Sequence, residues 1–182
     1  MNDTYPSKLR TADEAIRLIR SGQRVFIGSS CGEPQHLVNA LLDNAIAFSD
    51  VEIVRLLSLE GSLLALMADE YRGHNFHVRS IYQGSDQTKS LRANKRFITP
   101  MNLCAVPDLF TKRLFPLHFA LIQVSPPDDY GWMSLGISVD VTLAASQSAD
   151  FVIAQVNPMM PRVPGHSFIH VNDVDVVVEH EE

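Results

Sequence analysis

Cysteine is scarce in this chain of 182 residues, which contains only Cys31 and Cys104. Two cysteines so far apart do not build the dense disulfide framework of a small secreted domain, and we expect both to be free thiols. Long hydrophobic runs are absent too: nowhere do about 18 apolar residues follow one another, and the N-terminus lacks the continuous apolar segment of a signal peptide. These absences predict a cytoplasmic protein that does not enter a membrane.

Positive charge is also limited, because 15 Lys and Arg residues stand against 21 Asp and Glu residues and give a formal net charge of −6. The densest basic segment, residues 89–96, has no interleaved aromatic side chains that could stack on bases, so we expect no nucleic-acid partner. Histidine pairs occur at residues 74 and 77 and at residues 166 and 170. Neither pair has a cysteine or an acid at a familiar zinc spacing, and we expect no metal site.

What the chain does contain is a series of short apolar runs typical of buried strands. They lie at residues 24–28, 51–57, 118–124, 150–156 and 174–179. Helical patterns separate most of them, and the chain opens with one at residues 11–22, where Thr11 and Glu14 have the spacing of a capping box. Strands this apolar that alternate with helices predict an α/β fold, an open and mostly parallel sheet with helices on both faces. No linker-like or repeated segment interrupts the pattern, so we expect a single domain over residues 1–182.

Unusual sequences follow four of these runs: GSSCGEP at 28–34, SLEG at 58–61, SPPDDYGW at 125–132 and NPMMPRVPGHS at 157–167. Because the carboxyl ends of parallel strands meet at one edge, where open sheets bind their ligands, we expect these four loops to wall a shared site. The third loop contains the only tryptophan of the chain, Trp132, close to two consecutive prolines that stop strand pairing. Stability alone is a poor reason for such a turn, so the turn is predicted to contribute to the site.

The first of these loops has features that suit an anionic group or an oxyanion. Gly28 and Gly32 permit close approach of the backbone, and Pro34 at a helix start leaves free N–H groups at the positive end of the helix dipole. The loop is neither a Walker A motif nor a dinucleotide fingerprint, and a plain strand-to-helix turn is the alternative interpretation. Cys31 lies near the helix N-terminus, where a thiol becomes more nucleophilic, but His36 is too close in sequence to be an obvious base. A small residue in a tight turn is therefore the simpler account of Cys31.

The acids that could serve as a base or a nucleophile are Glu33, Glu60, Asp128, Asp129 and Asp140. Asp128 and Asp129 are most simply turn residues, and Asp140 is most simply an N-cap for the helical pattern that follows it. Glu60 comes directly after the second apolar run and has no structural role as simple as these. We therefore assign no catalytic residue to this chain and keep Glu60 only as a candidate.

Four segments carry a resemblance to a known family: LIRSGQRVFIGSSCGEPQHLVNAL, FALIQVSPPDDYGWMSLGISVD, VIAQVNPMMPR and GHSFIHVNDVDVVVE. They resemble the N-terminal domain of the acetyl-CoA hydrolase/transferase family, in the group of the 4-hydroxybutyrate CoA-transferases, and the similarity extends over nearly the whole chain. The resemblance implies an α/β domain of the NagB/RpiA/CoA-transferase type. It also implies transfer of CoA between carboxylic acids, or hydrolysis of acyl-CoA, through a covalent glutamyl-CoA thioester.

The resemblance implies that the nucleophilic glutamate belongs to a second, C-terminal domain that would begin after Glu182. A C-terminal domain or a partner chain is therefore expected to complete the site, and this chain alone is expected to be inactive. The expected substrates are an acyl-CoA and a short-chain carboxylate, with the coenzyme A thioester as a substrate and no permanently bound cofactor. The residues expected to contact CoA or substrate are Gly28, Ser29, Ser30, Cys31, Gly32, Ser58, Ser125, Pro126, Pro127, Asn157 and Pro158.

Three other interpretations stay open. An acetyl-CoA hydrolase would use the same domain, and a non-catalytic domain could bind acyl-CoA or another ligand. A sugar-phosphate isomerase on a similar sheet would need a lysine or an acid pair near a phosphate loop, and the loop at 28–34 lacks such a basic partner. We also expect a homodimer that forms through an uncovered apolar face, to which Met159, Met160, Phe168 and Ile169 are assigned.

Overall fold

The strands of the computed structural model form two sheets within the residues that it describes, which are 4–56, 75–81, 96–99 and 101–182. The strands in these ranges are β1 (Arg24–Ile27), β2 (Val51–Arg55), β3 (Phe76–Ser80), β4 (Arg96–Ile98), β5 (Phe119–Val124), β6 (Trp132–Ser134), β7 (Phe151–Val156), β8 (Phe168–His170) and β9 (Val176–Glu179). Seven of these described strands pair in parallel in the order β4-β3-β2-β1-β5-β7-β9. Strands β6 and β8 pair antiparallel as a small second sheet.

Helices cover both faces of the parallel sheet. Those in the described residues are α1 (Thr4–Lys8), α2 (Ala12–Ile16), α3 (Gln35–Asp43), α4 (Val106–Thr111) and α5 (Thr142–Ser148). Side chains of β1 alternate between two apolar clusters: Val25 and Ile27 lie in the cluster with α2 and α3, and Phe26 lies in the cluster with α4 and α5. Burial on both faces explains why these strands read as continuous apolar runs, and the α/β prediction is confirmed.

Helix α2 begins where the sequence predicts and ends earlier. The Thr11 hydroxyl accepts a hydrogen bond from the Glu14 N–H at 3.3 Å, and the Glu14 carboxylate accepts one from the Thr11 N–H at 2.9 Å, which completes the capping box. The helical pattern extends to Gly22, but the regular helix stops at Ile16 and a turn follows. The apolar spacing therefore predicts the start of this element correctly and its end wrongly.

The five apolar runs are all strands, but the described residues contain four further strands that the pattern does not predict. Strand β3 alternates buried and half-buried side chains, which is a weaker signal than a continuous apolar run. Strands β4, β6 and β8 have only three residues each, too few to display a period. As a result Trp132, which we placed in a loop, begins β6 and pairs with His170 of β8.

Near the amino end of the parallel sheet, Glu52 of β2 joins the two neighbouring strands. Its carboxylate oxygens accept from Arg24 Nε of β1 at 2.7 Å and from Arg79 Nε of β3 at 2.5 Å. The Arg24 guanidinium also lies over the Phe115 ring, 3.8 Å from its centroid. Burial acts to raise the pKa of the Glu52 carboxyl, but the hydrogen bonds from the two arginines outweigh burial and hold the pKa below its usual value.

Candidate functional site

Three of the four predicted loops begin at the carboxyl edge of the sheet, because β1, β5 and β7 are neighbouring parallel strands. The Gly28 N–H donates to the Leu121 carbonyl at 2.9 Å, and the Asn157 N–H donates to the Val124 carbonyl at 2.9 Å. The first residues after β1 and β7 are thus held against β5. The expectation of a shared edge is confirmed for these loops. The remaining loop, at 58–61, lies outside the described residues, and the roles of Ser58 and Glu60 stay predictions.

A cleft of about 290 Å³ opens at this edge. Residues that line it include Cys31, Glu33, Gln123, Asn157, Met160 and Glu182. Two of the predicted loops, 28–34 and 157–167, contribute to its walls. The cleft combines buried polar side chains with the apolar walls of Ile137 and the two methionines Met159 and Met160.

Within the loop at 28–34 the two glycines are required by packing inside the chain. A Cβ atom at Gly28 would lie 2.9 Å from the Gly32 carbonyl oxygen, and a Cβ atom at Gly32 would lie 2.6 Å from the Ser138 Cβ. Ser30, between them, has a φ of +52° and begins a 3₁₀ turn. The close backbone approach expected of the glycines is present, and in this structure its partners are the loop itself and Ser138. Cys31 is exposed and lines the cleft.

A hydrogen bond ties this loop to helix α5. The Ser29 side chain is buried, and its hydroxyl donates to the Asp140 carboxylate. The other carboxylate oxygen of Asp140 accepts from the Thr142 N–H and from the Thr142 hydroxyl, each at 2.9 Å. Asp140 therefore bonds to the first turn of α5 as predicted, although the N-cap position itself is taken by Val141. The same carboxylate fixes the position of the loop at 28–34.

Two glutamines that the sequence pattern did not single out lie side by side in β5 and β7, and one of them, Gln123, lines the cleft. Gln123 of β5 and Gln155 of β7 are register partners, and both side chains are buried. The Gln155 side-chain oxygen accepts from the N–H groups of His36 and Leu37, at 3.2 and 3.4 Å, in the first turn of α3. A signal for the pair was available, because ALIQV and VIAQV carry a glutamine at the same place in two apolar strands.

The amide groups of these glutamines point to a carboxylate. Gln155 Nε2 donates to Glu182 Oε2 at 2.7 Å, and Gln123 Nε2 donates to the same oxygen at 3.2 Å. Asn157 Nδ2 donates to Gln123 Oε1 at 2.8 Å, and Asn157 Oδ1 accepts from the Glu182 N–H at 3.3 Å. We call Gln123, Gln155 and Asn157 the amide cluster. It holds both the side chain and the backbone of Glu182 at the carboxyl edge.

The proline-containing turn is held by one arginine. Arg162 Nη1 donates to Ser125 Oγ at 3.2 Å and to the Pro126 and Trp132 carbonyls at 3.1 and 3.0 Å, and Nη2 donates to the Asp128 carboxylate at 2.9 Å. Hydrogen bonds from the backbone N–H groups of Trp132 and Tyr130, together with Arg162, hold the pKa of the Asp128 carboxyl below its usual value. Asp128 is a turn residue, as predicted.

The turn borders a second groove of about 490 Å³, with Trp132, Arg162, His166 and Phe168 among its walls. The Trp132 side chain is 44% exposed and meets the His170 ring edge-on, with centroids 5.0 Å apart. The loop at 157–167 contributes to both cavities. Pro126 and Pro158 are exposed beside them and Pro127 is half-buried, so their contact with a ligand stays a prediction.

The apolar face expected beyond the last loops is only partly exposed. Met159 is 67% exposed, but Met160 is 5% and Ile169 is 3% exposed, and Phe168 is half-buried. The assignment of Met160 and Ile169 to an open face is therefore wrong. Met160 is buried against Gly136, and Ile169 packs in the α4 and α5 cluster because β8 turns that side chain inward.

In the part of the chain that is described, no three His, Cys, Asp or Glu side chains are grouped as ligands of one ion. None of the described helices is long and apolar enough to cross a membrane. The cytoplasmic location stays a prediction.

The parallel sheet with a polar cleft at its carboxyl edge defines an α/β domain of the CoA-transferase type. RipA from Yersinia pestis superposes with a TM-score of 0.87 and 26% sequence identity, over 98% of this chain and 44% of that chain. Residues 1–182 match the family model for the acetyl-CoA hydrolase/transferase N-terminal domain, and the chain belongs to that family. The resemblance and the fold class expected from the sequence are confirmed.

Two relatives are CoA transferases by name. The 4-hydroxybutyrate coenzyme A transferase of Clostridium kluyveri is 38% identical over 178 residues, which are 97% of this chain and 41% of that protein. The succinyl-CoA:acetate/propanoyl-CoA:succinate CoA transferase of Fasciola hepatica is 31% identical over 97% of this chain and 36% of that protein. The chain therefore spans well under half the length of these relatives.

Proposed function

We propose that this chain is the N-terminal part of an acyl-CoA:carboxylate CoA-transferase. We also propose that the cleft at the carboxyl edge of its sheet is part of the acyl-transfer site. The observation that carries the proposal is the meeting of the loop at 28–34, the end of β5 and the loop at 157–167 around one cleft. Such an edge is where open parallel sheets bind ligands. The names of the relatives supply the reaction class.

The size and lining of the cleft favour a short acyl group. Its volume of about 290 Å³ is just below the range for small-molecule sites, which begins at about 300 Å³. Ile137 and Met159 offer apolar contact to a short hydrocarbon chain, while Gln123 and Asn157 offer amides to a polar head group. We propose that the acyl chain lies against the apolar residues and that its carbonyl end faces the amides.

We assign the nucleophile to a second domain or a partner chain. The family resemblance implies a glutamyl-CoA thioester, in which a carboxylate divides one difficult transfer into two easier steps. Among the described acids, Asp128 fixes a turn, Asp140 joins two elements and Glu52 pairs with two arginines. In the cleft itself, the Glu33 carboxylate accepts from Gln35 Nε2 and the Glu182 carboxylate accepts from Gln123 and Gln155. These structural roles support placing the reactive carboxylate outside the described part of this chain.

Exposed apolar side chains support the proposal that another domain covers the carboxyl edge of the sheet. Of the eight large apolar side chains exposed in the described residues, four lie between β5 and α5 or in the loop after β7: Tyr130, Trp132, Ile137 and Met159. Exposed apolar groups concentrated on one side of a domain mark a surface that binds another protein or domain. We propose that the second domain covers this edge and that a homodimer forms through the surface that remains.

Thioester exchange tests the proposal. The chain is mixed with acetyl-CoA and butyrate, alone and together with the polypeptide that supplies the second domain, and butyryl-CoA is followed by mass spectrometry. We expect exchange only in the mixture, and a decrease of at least tenfold for Met159→Glu, which places a charge on the apolar wall. Ile46→Glu is the matched control, because Ile46 is 97% exposed and does not line the cleft.

Three results would contradict parts of the proposal. Free CoA that accumulates without butyrate indicates a hydrolase. Binding of acetyl-CoA without exchange or hydrolysis in the mixture indicates a non-catalytic domain. Equal loss of exchange in Met159→Glu and Ile46→Glu would contradict the proposal that the cleft belongs to the acyl-transfer site.

A further inference from the structure

We propose that the amide cluster is a carboxylate-binding subsite and that Glu182 occupies it as a built-in competitor of a carboxylate ligand. The inference rests on the proposed function only for the choice of a short-chain carboxylate as the ligand. The binding itself is argued from the contacts of Gln123, Gln155 and Asn157.

Two side-chain N–H donors converge on a single carboxylate oxygen. Gln155 Nε2 lies 2.7 Å and Gln123 Nε2 lies 3.2 Å from Glu182 Oε2. The side chains of the amide cluster are 0 to 5% exposed, so their donors are fixed in the core of the sheet before any ligand arrives. Fixed donors of this kind recognise a carboxylate without the entropy cost of ordering flexible side chains.

The surrounding hydrogen bonds orient these donors toward the carboxylate of Glu182, which lines the cleft. Gln155 Oε1 is engaged by the first turn of α3, and Gln123 Oε1 is engaged by Asn157 Nδ2. The orientation of both amides is therefore set by their oxygens. Gln123 Nε2 also donates to the Glu33 carbonyl at 3.1 Å, and each amide presents an N–H to the position that Glu182 Oε2 occupies. Gln155 also links that position to the positive end of a nine-residue helix, which favours a negative ligand.

The contacts of Glu182 allow a free carboxylate to displace its side chain. Among the described residues that line the cleft, none is a lysine or an arginine, so the carboxylate is held by neutral amides. The residue Glu182 is itself exposed, whereas the cluster beneath it is buried. A free carboxylate can therefore replace the Glu182 side chain without rearrangement of the sheet.

Binding of butyrate by ligand-observed NMR tests the inference, with butyramide as the uncharged probe of the same shape. Glu182→Gln removes the competing charge, and we expect it to raise the affinity for butyrate about tenfold, which corresponds to about 1.4 kcal/mol. Glu181→Gln is the matched control, an exposed neighbour that does not line the cleft, and it should leave the affinity unchanged. Gln123→Leu in the Glu182→Gln background should lower the affinity at least tenfold while the hydrogen bonds of Gln155 to α3 remain.

Several outcomes would overturn the inference. These are no butyrate binding to Glu182→Gln, equal affinities of Glu182→Gln and Glu181→Gln, or equal binding of butyramide and butyrate. If Gln123→Leu does not fold, the comparison of the two glutamate variants decides alone. The binding assay contains no CoA. Butyrate binding to this chain, combined with no thioester exchange in the mixture with the second domain, would therefore overturn the proposed function and leave this subsite in place.

Discussion

Ser29, directly after Gly28 at the end of β1, donates its hydroxyl hydrogen bond to Asp140, which bonds in turn to the first turn of α5. Ser29 is fully buried, so this contact joins two walls of the carboxyl edge from inside. We predict that Ser29→Ala lowers the free energy of unfolding by about 1.5 to 3 kcal/mol, the usual range for a hydrogen bond to a charged group. Urea denaturation measures this effect. Ser30→Ala in the same loop is the control, and equal destabilisation by both changes would contradict the assignment.

Gly32 is predicted to tolerate no side chain while Ser138 is present. A Cβ atom at Gly32 would lie 2.6 Å from the Ser138 Cβ, which is closer than real carbon atoms approach. Gly32→Ala should therefore cost about 1 to 3 kcal/mol of stability through overpacking. Ser138→Gly should restore most of the loss when it is combined with Gly32→Ala, because it removes the opposing atom. A double-mutant cycle measures this coupling, and additive effects of the two changes would show that the clash is not its source.

We predict that Glu52 makes the free energy of unfolding depend on pH below about pH 4.5. Its folded-state pKa lies below the ordinary value of 4.5, so its contribution is complete above pH 4.5 and is lost as the pH falls through the lower, folded-state pKa. Glu52→Gln should lower the free energy of unfolding at pH 7 by about 1 to 2 kcal/mol, between the values for exposed ion pairs and for charged hydrogen bonds. The difference between the variant and the unmodified chain should shrink as the pH falls below 4.5. The measurement is urea denaturation from pH 3 to pH 7.

Asp108→Asn provides the control for Glu52→Gln. Asp108 pairs with Lys112 on the surface of α4, where both side chains are 61% exposed. Exposed pairs of this spacing contribute about 0.3 to 0.5 kcal/mol. An equal effect of the two substitutions, or a Glu52→Gln difference that does not change with pH, would contradict the role assigned to Glu52.

The strands that the sequence predicted are those buried on both faces, because only there does every residue have to be apolar. Strand β3 was missed since its alternating pattern is compatible with other structures, and β6 and β8 were missed since three residues carry no period. The edge at which the loops meet followed from parallel pairing alone. Prediction of the fold therefore succeeded where burial is continuous and failed where strands are short or half-exposed.

The site was harder to predict from the sequence because its contacts join distant segments. Gln123 and Gln155 stand out as polar residues in apolar runs, but their register and their shared partner Glu182 are set by the order of β5, β7 and β9. Gly32 was interpreted from its local sequence as leaving space for a ligand. In the structure, Ser138 occupies the space next to Gly32. A local sequence pattern does not reveal this contact, because Ser138 lies far along the chain.

Cys31 and Cys104 provide the most direct test of the carboxyl-edge cleft as part of the acyl-CoA site. Both thiols are exposed and free, but only Cys31 lines the cleft. The rates at which N-ethylmaleimide alkylates the two cysteines can be compared by mass spectrometry, with and without saturating acetyl-CoA and with the second domain or partner chain present. The account predicts that acetyl-CoA slows alkylation of Cys31 several-fold and leaves Cys104 unchanged. Unchanged alkylation of Cys31, or equal slowing at both cysteines, would contradict the placement of the acyl-CoA site in this cleft.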